Sequence, residues 1–254
     1  MVSDAKGDIL MRIYNIYNRR LKILLCVTLA FFLLVAACAN RSYTAAYLYN
    51  PGEFDQLRLA AREDAARAEK RLISDDTVYL YLPNISPDVR RFVVGIRGEL
   101  ARFERLILDL RGNYGGQLAE AYRIADMFLN DGDIIGYESG RFPFLDREIV
   151  ARGGRAFEFE SIVIIQNAGT ASAAESLILA LIANLDNVTL VGETTFGKGS
   201  AQIVLPLRDG YSMIAPVLTL SGPGGESIDT AGIAPNIEYT GVETMLDFVL
   251  ALKQ

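Results

Sequence analysis

Residues 161–184 read SIVIIQNAGTASAAESLILALIAN. The opening SIVIIQ is a short apolar run closed by a loop of small residues, the pattern of a strand buried on both faces. From Ala173 onward the run is rich in Ala and Leu and free of Gly and Pro, which predicts a helix over 173–184. A buried strand that passes through a small-residue loop into a helix is the building unit of an α/β layer.

The same unit recurs outward from this stretch. TVYLYL (77–82), RLILDL (105–110) and VTLVG (188–192) read as further strands. Two more fall near IIGYES (134–139) and around Arg147 to Arg152, and IVLPL-RDG-YSMIAPVLTL (203–220) reads as a hairpin. Helices are expected over EFDQLRLAAREDAARAEKRLIS (53–74), over 86–104 with Pro87 in the first turn, over QLAEAYRIADMFL (117–129), and in the closing GVETMLDFVLALK. Short apolar strands between Gly-bearing loops, alternating with helices, predict an α/β class. In such folds ligands gather where loops leave the carboxyl ends of strands. Three such loops carry unusual residues: RGNYGG (111–116), NAGTAS (167–172) and GETTFGKGS (192–200).

The 254 residues suffice for one sizeable core, and a composition of 51% hydrophobic and 22% charged residues is that of a globular protein. The first 37 residues stand apart. Arg19, Arg20 and Lys22 precede the apolar ILLCVTLAFFLLVAA, which is shorter than a membrane-spanning helix requires and ends at Cys38. A basic start, an apolar middle and small residues before a cleavage point describe an export signal, and Val35-Ala36-Ala37-Cys38 resembles the bacterial lipobox, which implies lipidation at Cys38. The expected organisation is a lipoprotein-type signal (1–37), a linker and helix (38–75) and a folded core (76–254). Without residues 1–37 the net charge moves from −6 to −9, which argues against nucleic acid as a partner. Cys26 and Cys38 are the only cysteines, so the body beyond the signal has no disulfide to form.

Ser172 carries the sharpest question. Ser-Ala-Ala-Glu ahead of an apolar run is a capping-box pattern, in which Glu175 reaches back to the start of the helix. A helix N-terminus also presents free amides that stabilise an anion beside a nucleophile. The two readings share a geometry, and both stay open on local sequence. The chain has no histidine, so a general base for Ser172 must be a carboxylate, a tyrosine or a lysine. A lysine serves only when neutral, which is rare at its ordinary pKa of about 10.4 and becomes common when burial disfavours its charge. Lys198, in TTFGKG, has an aromatic and two glycines as neighbours, which predicts close backbone packing and little water. The segment 192–199 also approaches the phosphate-loop pattern, but Gly199 stands where a hydroxyl belongs and a strand follows where a helix is required. In RGNYGG, glycines either let the chain turn or let bare amides face a substrate, and Asp109 and Arg111 read as braces of that loop.

Taken together, LILDLRGNYGG (106–116), IVIIQNAGTASAAE (162–175), LVGETTFGKGSAQ (190–202) and SGPGGESIDTAGIAPNIEY (221–239) resemble, in order, the motifs of the C-terminal processing peptidases, or tail-specific proteases. The resemblance implies an α/β crotonase-like (ClpP/crotonase) layered core with buried strands and flanking helices. It implies Ser172 as nucleophile, Lys198 as its general base, Gln202 as the residue that holds the lysine, and the backbone N–H groups of Gly116 and Ala173 as the oxyanion hole. No cofactor, metal or nucleotide is implied. The implied partners are protein or peptide substrates of the cell envelope and the membrane through the lipid anchor, and a homo-oligomer is compatible with the reading. Localisation would be outside the cytoplasmic membrane. Members of the family usually carry a peptide-binding PDZ domain before the core, and a complete one does not fit into residues 39–76. A catalytically inactive peptide-binding scaffold is therefore the alternative function. Acyl-coenzyme A chemistry shares only the fold type.

Overall fold

The computed structural model describes residues 47–49, 67–140, 144, 146–229, 231–239 and 244–252. The candidate signal and Cys38 lie outside these residues. In chain order the elements are β1 (Tyr47–Tyr49), β2 (Glu69–Leu72), β3 (Thr77–Tyr81), α1 (Pro87–Gly95), α2 (Arg97–Leu100), β4 (Arg105–Asp109), α3 (Leu118–Asp126), β5 (Ile134–Gly140), β6 (Arg147–Val150), β7 (Ser161–Gln166), α4 (Ala173–Asn184), β8 (Val188–Gly192), β9 (Ser200–Pro206), β10 (Ser212–Ser221), β11 (Ile237–Glu238) and α5 (Met245–Ala251).

The four strands predicted as buried, β3, β4, β7 and β8, form the middle of one sheet of order β11-β8-β7-β4-β3-β2. Its members pair in parallel except β2, which runs antiparallel to β3 at the edge. Alternate residues divide between two cores. Val78, Leu80, Leu106, Leu108, Ile162, Ile164 and Leu190 face the layer that contains α1, α3 and α4. Tyr79, Ile107, Val163, Ile165 and Val191 face the other way, against Val249 of α5. Burial on both sides is why these strands read as continuous apolar runs rather than as alternating ones. Helix α4 explains its own composition in the same way: every side chain from Ala173 to Leu181 is buried, between α3, β5 and the sheet.

A second, antiparallel sheet runs β1-β10-β5-β6, with β9 on the opposite side of β10. The hairpin expected over 203–220 is present and starts earlier, at Ser200, directly after Lys198 and Gly199.

Two helix expectations are corrected. Of the helix predicted over 53–74, residues 53–66 lie outside the described set, and Glu69–Leu72 is a strand in register with Tyr81 to Val78. Helix propensity there loses to cross-strand contacts, among them the Arg71 guanidinium 4.4 Å from the centroid of the Tyr79 ring. The helix predicted over 86–104 begins as expected, with Ser86 accepting a hydrogen bond from the Val89 amide ahead of Pro87, but it breaks at Ile96 into α1 and α2. Gly95 and Gly98 flank the break and carry the lowest helix propensity available apart from proline.

Candidate active site

The three loops singled out in the sequence leave the carboxyl ends of β4, β7 and β8, neighbours in the sheet, and are fastened to one another by buried polar groups. Asn113, fully buried, donates from Nδ2 to the Leu82 carbonyl, accepts from the Gly115 amide at Oδ1, and through its own carbonyl accepts from the Ala171 amide. Thr170, also fully buried, donates its hydroxyl to the Leu110 carbonyl, and its carbonyl accepts from the Phe196 amide. Asn167 Oδ1 accepts from the amides of Gly112 and Gly169. Leu82, at the end of TVYLYL, therefore holds the RGNYGG loop, that loop and Leu110 of RLILDL hold the NAGTAS loop, and the latter holds the GETTFGKGS loop.

Asp109 and Arg111 brace the first loop, as their positions in the sequence suggested. Asp109 accepts from the Arg111 amide, from its Nε and Nη2, and from the Tyr79 hydroxyl at 2.7 Å. Burial, followed by the adjacent Asp109 charge, pushes the Tyr79 phenol up to about 12. The same carboxylate raises Arg111 above its already high ordinary value.

Ser172 is the N-cap of α4, and its carbonyl accepts from the Ser176 amide. Its backbone lies at φ 57°, ψ −119°, a conformation that non-glycine residues rarely adopt and that concentrates at functional turns. Glu175 reaches back to the Ser172 amide at 2.7 Å, as the capping pattern predicted. It also does more than cap. Its carboxylate is fully buried and accepts from the Thr195 hydroxyl at 2.5 Å, the Gly197 amide at 2.7 Å and the Lys198 amide at 2.9 Å. One carboxylate oxygen thus receives the amides of both Ser172 and Lys198. The backbones of the candidate nucleophile and the candidate base are separated by that single atom.

The two amides assigned to the oxyanion hole are free. The Ala173 N–H opens α4 and the Gly116 N–H lies in the exposed loop, and neither has a protein acceptor among the described residues. Gly116 forms a parallel bridge with Ile85 through its neighbours, Gly115 O and Gln117 N, so that its own amide remains available. Gly115, at φ +92°, lies so close to the serine turn that a side chain there would come within 2.9 Å of the Ala173 nitrogen and 2.7 Å of the Ala171 oxygen. Glycine is required at that contact by sterics.

Two side chains in this region lie differently from the sequence expectation, and one likeness set aside on sequence stays set aside. Phe196 does not shield Lys198, since its ring is 63% exposed, and the lysine is half-buried. Gln202 lies exposed on β9 and makes no hydrogen bond to Lys198 among the described residues. The phosphate-loop likeness has no physical basis, because the Gly197 and Lys198 amides that would hold a phosphate are committed to Glu175, and β9 follows instead of a helix.

The sequence reading missed what the fourth motif does. Ile233 exchanges hydrogen bonds with Thr195, and Gln166 Nε2 donates to the carbonyls of Ile233 and Glu193. Gly232, at φ +66°, lets the segment lie flat on the Thr195 carbonyl, 2.2 Å from where its Cβ would be. The segment around Ile233 is thus the floor of the lysine loop. Among the described residues no group of three metal-ligating side chains is assembled, and no helix is long and apolar enough to cross a membrane.

Comparison with known proteins follows the same segments. The sequence model of peptidase family S41 matches residues 76–239. A carboxy-terminal-processing protease of Bartonella bacilliformis is 29% identical over 177 residues, which cover 67% of this chain and 40% of that protein. The carboxy-terminal processing protease CtpA of Bacillus subtilis is 36% identical over 135 residues, covering 52% of this chain and 28% of its own. The chain thus spans less than half the length of these relatives. Among solved structures, the photosystem II D1 C-terminal processing protease superposes with a TM-score of 0.55 at 26% identity, over 67% of this chain and 45% of that one. A lipoprotein from Streptococcus agalactiae shares the fold, with a TM-score of 0.60 at 21% identity over 77% and 71% of the two chains. The layered sheet and helices are the ClpP/crotonase-like core seen in these neighbours, and the chain belongs to peptidase family S41.

Proposed function

We propose that this protein is a serine endopeptidase of the C-terminal processing type, in which Ser172 is the nucleophile and Lys198 the general base. The observation that carries the reading is the Glu175 carboxylate, which receives the Ser172 and Lys198 amides on one oxygen, while the Gly116 and Ala173 amides have no protein acceptor among the described residues. In the reaction, neutral Lys198 takes the Ser172 hydroxyl proton as Oγ attacks the substrate carbonyl. The Gly116 and Ala173 amides hold the resulting oxyanion. Collapse expels the amine, which takes the proton from Lys198 and leaves an acyl-enzyme. Water, deprotonated by the same lysine, attacks the ester, and the departing Ser172 Oγ takes that proton back from Lys198 as the acid product leaves. Gln202 would need to turn inward on β9 to hold the lysine. The candidate signal ending at Cys38 directs the reading to protein substrates of the cell envelope, reached from a lipid anchor outside the cytoplasmic membrane.

The test is hydrolysis of a denatured protein and of unstructured peptides by the full chain, with Ser172→Ala and Lys198→Ala beside it. Turnover lost by at least about 10³-fold in both variants is the expected result. The exposed Gln202 side chain, which makes no hydrogen bond to Lys198 among the described residues, favours the second reading, an inactive peptide-binding scaffold. Peptide binding in all three proteins with no turnover by the wild type would establish that reading and sink the first. Labelling of Cys38 by a radioactive fatty acid in a bacterial host, lost in Cys38→Ser, tests the anchor.

A further inference from the structure

The six-stranded sheet carries a polar pocket on the face opposite α4, and the chemistry at Ser172 does not use it. Strand pairing fixes its walls. Glu69 and Arg71 on β2 stand opposite Tyr81 and Tyr79 on β3, and Tyr81 stands beside Asp109 on β4, so all five side chains emerge on one face of the sheet. On that face Tyr79 and Tyr81 join the core under α5, whereas α4, which begins at Ser172, packs on the other. At the carboxyl ends of β3 and β4 these residues surround a cavity of about 470 Å³, and Arg111, Gly112 and Asn167 complete its lining. Its size is that of a small-molecule site.

A chain of contacts sets the groups in order around the cavity. The Arg71 guanidinium lies over the Tyr79 ring, 4.4 Å from its centroid, the Tyr79 hydroxyl donates to Asp109 at 2.7 Å, and Asp109 accepts from Arg111 Nη2 at 2.5 Å. Donors outnumber acceptors here. Asp109 is buried, and its two oxygens are filled by the Arg111 amide, Arg111 Nε and Nη2, and the Tyr79 hydroxyl. Asn167 Oδ1 is taken by the amides of Gly112 and Gly169. Glu69 lies 3.0 Å from Arg71 Nε, but both side chains are half exposed, and such a pair holds weakly. On the donor side, Arg111 keeps Nη1 and Arg71 keeps both terminal nitrogens. The Tyr81 hydroxyl and Asn167 Nδ2 also have no acceptor among the described residues. Burial, followed by the Asp109 charge, raises the Tyr81 phenol, so it stays a donor at neutral pH. Two guanidiniums and a phenol hydroxyl with donors to spare call for a negatively charged group that only accepts, and a planar guanidinium matches a carboxylate.

We propose that this pocket binds a small organic acid, with its carboxylate among Arg71, Arg111 and the Tyr81 hydroxyl and its apolar body against the Tyr81 ring. The pocket is separate from Ser172, so it stands or falls independently of the peptidase reading. Because Asn167 also holds the Gly112 amide, an occupant touches the bond that ties the first two active-site loops together.

The experiment is isothermal titration calorimetry of the full chain with benzoate. Benzamide serves as the neutral molecule of the same shape, and inorganic phosphate as an oxyanion without an apolar body. Benzoate is expected to bind about tenfold or more tighter than either. Arg71→Gln and Tyr81→Phe leave the Asp109–Arg111 brace in place, and each should weaken benzoate by about threefold to tenfold, while Ser172→Ala should leave its affinity unchanged. Benzoate no tighter than benzamide, phosphate as tight as benzoate, or benzoate affinity unchanged in both pocket variants overturns the proposal. Loss of benzoate affinity in Ser172→Ala overturns it too, since the ligand would then lie at the serine.

Discussion

At the scale of single residues, the site is organised by one carboxylate. Glu175 is fully buried and accepts four hydrogen bonds, three of them from segments it does not belong to. A glutamine would keep the shape but turn an amide NH₂ toward donors, leaving two or more of them unpaired. Glu175→Gln should lower stability by about 2–4 kcal/mol in urea denaturation. It should also depress any turnover, because Ser172 and Lys198 lose their shared reference atom. Ser172 itself stores strain at φ 57°. Replacement by glycine removes the Cβ that makes this conformation costly, whereas alanine retains it, so Ser172→Gly should be more stable than Ser172→Ala by about 1 kcal/mol. Equal melting temperatures for the two variants would show the turn to be unstrained. The Tyr79 phenol supplies a pH test. Its folded value of about 12 lies above the ordinary 10, so the folded state binds this proton more tightly than the unfolded chain. Its contribution to stability is whole below pH 10 and fades as the pH rises toward about 12. The stability difference between wild type and Tyr79→Phe should shrink across that interval, and a difference that stays constant from pH 9 to pH 12 would contradict the assignment.

Among the elements, α4 links sequence to site most directly. It is apolar all round because it is enclosed between α3, β5 and the central sheet, and its N-terminus is thereby fixed at the mouth of the three loops. Leu177, with no exposed surface, should cost about 2–5 kcal/mol on truncation to alanine, whereas Leu250 of α5, which is 37% exposed, should cost less than about 1.5 kcal/mol. Similar losses at both positions would show that α4 is not enclosed as described. The same element marks how far local sequence can be read. The run 173–184 was legible as a helix because it is long, apolar and unbroken. Glu69–Leu72 was not legible as a strand, because its Glu, Lys and Arg favour helix locally and only the β3 edge makes the extended form the better one. Ile96 likewise reads as helix interior, and the break there sits between Gly95 and Gly98.

Across the whole molecule, the six-stranded sheet is covered on both faces, and α5 is the cover on the second. A chain ended after residue 239 should expose Tyr79, Ile107, Val163, Ile165 and Val191 and lose about 3 kcal/mol or more, with aggregation on warming. Retention of the full-length melting temperature would show that α5 contributes little. The four motifs that identify peptidase family S41 meet at one end of this sheet, and much of that was readable beforehand. The sequence by itself determined the buried strands, the glycine loops at their carboxyl ends, the helix that starts at Ser172, and the absence of histidine that turns attention to Lys198. These follow from local chemistry, since apolar runs, glycines and the lack of an imidazole mean the same in any surroundings. Only the tertiary structure decided that Glu175 ties serine to lysine, that the segment around Ile233 supports the lysine loop, and that Gln202 and Phe196 face solvent. Each of these depends on which groups meet across twenty or more residues of chain, and a buried carboxylate and an exposed one are spelled with the same letter.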